Sequence, residues 1–140
     1  MSLPRWNASL ELGVPEIDAD HRHLVDLVRE LTVLNQGAAG REELWAVLAD
    51  LENYTQEHFA REEQLMEVVG FEFAELHHAE HERMKLDVKN TIEDFLQGRT
   101  SVAAILRFLE HWLLNHIAGS DTLLAGAIRR WRETRENAAR

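Results

Sequence analysis

The chain contains no cysteine. Disulfides, thiolate nucleophiles and iron–sulfur clusters are therefore excluded as sources of stability or chemistry. Proline is scarce: Pro4 and Pro15 both fall near the start, so after Pro15 only scattered glycines interrupt a helical pattern. No apolar run approaches the roughly 18 residues that a membrane span needs. The opening residues, MSLPRWNASLELG, lack the charged-then-apolar order of a secretory leader. Basic residues are the minority, with 15 Lys and Arg against 25 Asp and Glu and a formal net charge of −10. That balance speaks against nucleic acid or an anionic membrane as partner, because both reward clustered Lys and Arg. A cytoplasmic setting is the expectation. Apolar residues make up 45% of the 140, enough for one domain with a real core.

What is abundant is histidine, with eight in the chain. The glycines divide the sequence into segments of helical period, and none shows strand alternation. The expectation is an all-α, antiparallel up-down-up-down four-helix bundle with an N-terminal arm and a short C-terminal helix. The arm covers 1–16 and packs through Trp6, Leu10, Leu12 and Val14. Bundle helices are expected over 17–36, 41–69, 72–97 and 101–118, and a last helix over 121–136, all within a single domain, 1–140. Asp18 is the expected N-cap of the first helix and Ser101 of the fourth.

Helical phase sorts the histidines. His21, His58, His77, His81 and His116 fall on the apolar stripes; His77 shares its stripe with Phe73, His81 and Met84. His23, His78 and His111 point elsewhere, His78 lining up with Glu82, Lys85 and Lys89. A single inward histidine is best read as a core residue with one hydrogen-bond partner. Five on four helices, beside an inward Glu62, would each need a separate partner in a small core. Metal ligation satisfies them together.

The spacing fits this reading. His58 and Glu62 are four residues apart, as are His77 and His81, so each pair projects from one face. His116 and Asp121 are five apart, about 140° on a regular helix, and converge only if the helix unwinds or bulges near Gly119. One tetrahedral zinc takes four ligands, so five imidazoles and two carboxylates are too many. On two six-coordinate ions, this set plus a bridging oxide or hydroxide leaves one position open for a small ligand such as O2. Imidazole with bridging carboxylate favours iron.

The ordered motifs "GVPEIDADH", "HFAREEQLM", "HHAEH" and "WLLNHIAGSD", with Trp6 before them, resemble the hemerythrin family, and within it the single-domain bacteriohemerythrins. The resemblance implies a non-haem di-iron centre that binds O2 reversibly. His77, His81 and His116 would hold one iron, and His21 and His58 the other, which keeps the open position. Glu62, Asp121 and an oxide or hydroxide would bridge. Trp112 and Leu113 would line the O2 pocket; Phe59 and Met66 are core or pocket wall. The sequence departs from the family pattern at three places. Asp20 replaces the Gln common before the first ligand, Glu72 a frequent Pro, and Thr122-Leu123-Leu124 a stretch that often holds Lys and Tyr. None of these is expected to touch a ligand.

An O2 carrier, store or delivery protein, and so not an enzyme, is the leading expectation. The alternative is a di-iron enzyme acting on O2, NO or peroxide. Oxidising bundle sites are carboxylate-rich, with E-x-x-H pairs, whereas this set is histidine-rich and its E-x-x-H, Glu75 to His78, faces solvent. An O2- or redox-sensing module and a zinc-stabilised bundle are the remaining readings. A protein partner for oxygen delivery is left open.

Overall fold

The computed structural model describes residues 10–37 and 40–139. Helix α1 spans Pro15–Gln36, α2 Arg41–Val69, α3 Ala74–Leu96 and α4 Val102–His116. A π-helical segment, Ile117–Asp121, then leads without a break into α5, Thr122–Ala139. No strand occurs among the described residues. The connections between bundle helices are short, which forces neighbours in sequence to run antiparallel. Gly70 ends α2 in the left-handed region, φ 63°, and its N–H returns to the carbonyls of Glu67 and Met66. A side chain there would be strained. The Ser101 hydroxyl accepts the Ala104 N–H at 3.1 Å and caps α4 as expected.

Asp18 is not a cap. Pro15 occupies the first turn of α1, where its missing N–H costs nothing, and Val14 is the N-cap residue. Asp18 lies one turn in and accepts the backbone N–H groups of Leu12, at 2.8 Å, and Gly13, at 3.2 Å. It ties the arm down rather than starting the helix. Leu10, Leu12 and Val14 are buried as the arm requires, while Trp6 lies outside the described residues. Phe73 is also corrected: α3 begins after it, and the residue is 44% exposed.

The core divides into two zones. Leu31 of α1, Leu48 and Leu51 of α2, Val88 and Ile92 of α3 and Ile105 and Leu106 of α4 form an apolar zone. Apart from Thr32 near the end of α1 and Thr55 midway along α2, the polar buried residues belong to the start of α1, the end of α2, the start of α3, and the end of α4 with the π-helical segment after it. Antiparallel order puts those four termini at the same end of the bundle. Helix α5 continues past that end. Its Leu124, Ala125 and Ile128 are buried, Arg132 pairs with Glu16, and Arg129 donates to the Leu12 carbonyl.

Candidate metal centre

Seven polar side chains meet at the end shared by those termini: His21, His58, Glu62, His77, His81, His116 and Asp121, each at most 3% exposed. Helix phase delivers most of them. His58 and Glu62 project from successive turns of α2, and His77 and His81 from successive turns of α3. Asp121 arrives by a different route. The π-helical segment widens the turn between His116 and Asp121, so residues five apart share a face. His116 Nε2 comes 2.9 Å from Asp121 Oδ2.

The imidazoles aim their Nε2 atoms at two carboxylates. His81 reaches Glu62 Oε1 at 3.0 Å, His58 and His116 at 3.3 Å. His21 reaches Asp121 Oδ2 at 2.7 Å and His77 reaches Asp121 Oδ1 at 3.3 Å. The atoms fall into two groups, each within 4.8 Å: Glu62, His77, His81, His116 and Asp121; and His21, His58, Glu62 and Asp121. Glu62 and Asp121 belong to both.

Direct hydrogen bonding does not satisfy this cluster. His58 Nε2, His77 Nε2, Glu62 Oε2 and Asp121 Oδ1 are buried without a hydrogen-bond partner. Two carboxylates in a dry core are costly unless positive charge joins them. In the metal-free protein that charge comes from protons. Burial opposes ionisation of His58, but the nearby carboxylates of Glu62 and Asp121 and the hydrogen bond to Asp20 outweigh it and raise the imidazole to about 9. Burial likewise opposes charge on His77, yet Asp121 and Glu62 raise it to about 9. His81 is instead lowered, by burial first and then by the positive charge of His77 and His116. Two anions cannot hold every imidazole protonated. Imidazole nitrogens and carboxylate oxygens at these spacings suit two borderline metal ions that share the carboxylates.

The outer contacts of the imidazoles were not legible in the sequence. Asp20, counted among the departures expected to touch no ligand, does touch one of the histidines expected to serve as one: its Oδ2 lies 2.9 Å from His58 Nδ1. Arg61 donates to both Asp20 oxygens, at 2.8 and 2.7 Å, and the Tyr54 hydroxyl donates to Oδ1 at 2.8 Å. Burial works to raise the Asp20 carboxyl, but these hydrogen bonds hold it well below the usual carboxylate range. On the opposite side Glu80 lies 3.5 Å from His116 Nδ1 and accepts from the Ser120 hydroxyl. Trp112 stacks on His116, ring centroids 6.1 Å apart, and Phe59 on His81 at 3.9 Å. Leu113 is buried beside them in α4, and Met66 in α2. A cavity of about 360 Å³, lined by Phe71, Phe73, Leu76 and Leu123 as well as His77, Glu80 and Ser120, opens to solvent beside the cluster.

His77 and His78 separate cleanly. His77 is 2% exposed at its side chain and faces both carboxylates; His78 is 58% exposed and pairs with Glu63. His77→Ala should lower the amount of metal that purified protein can hold, whereas His78→Ala should leave it unchanged. Equal losses by elemental analysis would contradict this geometry. His23 packs against Tyr54 at a tilt and His111 pairs with Asn115, both away from the cluster.

The family model for the hemerythrin HHE cation-binding domain matches residues 12–128. A bacteriohemerythrin of Stenotrophomonas maltophilia is 32% identical over 129 residues, 92% of this chain and 84% of that protein. One from Pseudomonas aeruginosa is 32% identical over 124 residues, 89% of this chain and 80% of that protein. A crystal structure of wild-type hemerythrin superposes with a TM-score of 0.82 at 28% identity, covering 91% of this chain and 98% of that one.

Proposed function

Because the chain belongs to the hemerythrin family, we propose that its buried cluster holds two iron ions and that the protein binds O2 reversibly, as a carrier, store or local delivery protein. The observation that carries this reading is the division of one buried cluster into a three-histidine and a two-histidine half that share Glu62 and Asp121. His77, His81 and His116 would hold one ion, His21 and His58 the other, with Glu62, Asp121 and an oxide or hydroxide as bridges. When bound, such a pair supplies two electrons to O2 and recovers them on release.

The chain's own side chains do the rest. Five imidazoles give neutral donors, and two bridging carboxylates limit the net charge of the centre. The half with fewer imidazoles is the one left able to accept a small ligand. Trp112, Leu113 and Phe59 surround the histidines with apolar surface. That surface excludes water and protons, which would help reduced oxygen depart and strand the oxidised form.

The test is stopped-flow mixing of the reduced, iron-loaded protein with O2. A new visible absorption should appear and bleach under argon through repeated cycles. Prompt oxidation with release of peroxide would instead support the enzyme reading, and a zinc-only protein from iron-replete cells would support a structural one. Replacing Trp112 or Leu113 by Ala should speed autoxidation at constant iron content. An unchanged rate would remove both from the pocket wall. No helix among the described residues is long and apolar enough to cross a membrane.

A further inference from the structure

The two halves of the cluster differ in how their imidazoles are held from outside. His58 has a close carboxylate on its outer nitrogen, Asp20 at 2.9 Å, and that carboxylate is 4% exposed. His116 reaches only Glu80, at 3.5 Å, whose side chain is 40% exposed. His21 Nδ1 and His81 Nδ1 are buried with no hydrogen-bond partner. The short charged contact therefore falls on the two-histidine half.

A carboxylate on the outer N–H of a ligating imidazole draws the proton toward itself and makes the inner nitrogen a stronger donor. Asp20 is itself restrained, since Arg61 forks across both of its oxygens and Tyr54 donates a third hydrogen bond. Arg61 is on the same helix as His58, three residues on, and is 38% exposed at its side chain. The guanidinium withdraws part of the negative charge that Asp20 would otherwise give to His58. We propose that Asp20 and Arg61 form an opposed pair of positioning residues, through which His58 sets the reduction potential and O2 affinity of the two-histidine iron. Asp20 pushes electron density toward that metal and Arg61 meters the push. The inference rests on the di-iron reading above and adds to it which residues tune the O2-binding ion.

The two residues have opposite signs, and that provides the test. Asp20→Asn keeps a hydrogen-bond acceptor for His58 Nδ1–H and removes the charge. Arg61→Gln removes the cation and can still hydrogen-bond Asp20. In iron-loaded protein, Asp20→Asn should raise the reduction potential and weaken O2 binding by about 10-fold, the lower end of typical effects of such outer partners. Arg61→Gln should lower the potential and tighten O2 binding. A parallel measurement on zinc-loaded protein follows the His58 Nδ1–H proton by NMR. It should move upfield in Asp20→Asn and downfield in Arg61→Gln. Shifts of the same sign in both variants, or no shift in either, would overturn the inference even where the parent binds O2 normally. A parent that takes up no iron overturns the functional reading. Opposed NMR shifts in the zinc form would then still support the contact between Asp20, Arg61 and His58.

Discussion

Glu62→Ala is expected to remove both irons, not one. Glu62 belongs to both donor groups, and its Oε1 lies 3.0 to 3.3 Å from imidazoles of either half. Without it each ion loses a carboxylate and the pair loses one of its two protein bridges. Asp121 cannot compensate, since its oxygens already face His21, His77 and His116. Elemental analysis should show iron falling from about two per chain to near zero. The helices should survive. Burial and Asp121 work against the ionised form of Glu62, but His58 and the hydrogen bond from His116 outweigh them and hold it below the usual carboxylate range. Its loss removes a partner from the imidazoles, while the apolar zone around Leu31, Leu48, Leu51 and Ile105 is untouched. Circular dichroism should therefore remain helical. Retention of one tightly held iron would mean that Glu62 serves a single ion, and the bridged arrangement would have to be abandoned.

Stripping the metal should create a pH sensitivity that the loaded protein lacks. In the metal-free site His58 and His77 are raised from 6.5 to about 9. Groups whose folded value is raised stabilise the fold fully below about pH 6.5, and that contribution is lost as the pH rises through about 9. For His58 alone the shift corresponds to roughly 3 kcal/mol. Metal replaces those protons, so the loaded protein has none to lose over this range. Thermal melts at pH 6, 7.5 and 9 should show the Tm of chelator-treated protein falling steadily while that of iron-loaded protein holds. The gap between them should widen with pH. Parallel curves would show that the carboxylates are not neutralised by imidazolium in the metal-free form. The same competition should make iron uptake slower and weaker as the pH falls.

Much of the site could be read in the sequence because helix geometry is rigid. At a fixed 100° per residue, four-residue spacing places His58 with Glu62 and His77 with His81 on one face, and separates His77 from His78. Asp121 was harder, since five-residue spacing points away on a regular helix; Gly119 was the hint, and the π-helical turn supplies the geometry. Phase failed at Phe73, where the stripe was extended one residue before the true start of α3, onto its N-cap. It also failed at Asp18, where a plausible capping residue type sat inside a helix that Pro15 had already begun. Asp20 was the more consequential miss. It neighbours His21 in the chain, but one residue turns its side chain about 100° away from the site. There it meets Tyr54, His58 and Arg61 of α2.

Taken alone, the sequence determined the helices, their order and which faces are buried, because these follow from local periodicity and from breakers a few residues apart. It determined that several imidazoles and a carboxylate point inward, because phase depends only on spacing within one helix. Tertiary structure decided everything that depends on one helix touching another. Antiparallel packing brought four helix termini to the same end and so made one cluster of scattered histidines and carboxylates. The register of α1 on α2 placed Asp20 against His58 and Arg61, and the π-helical step set Asp121 between the two halves. Such contacts join residues as far apart in the chain as His21 and Asp121, 100 positions, or Leu12 and Arg129, 117 positions, and no local pattern encodes the rotation and offset of one packed helix against another.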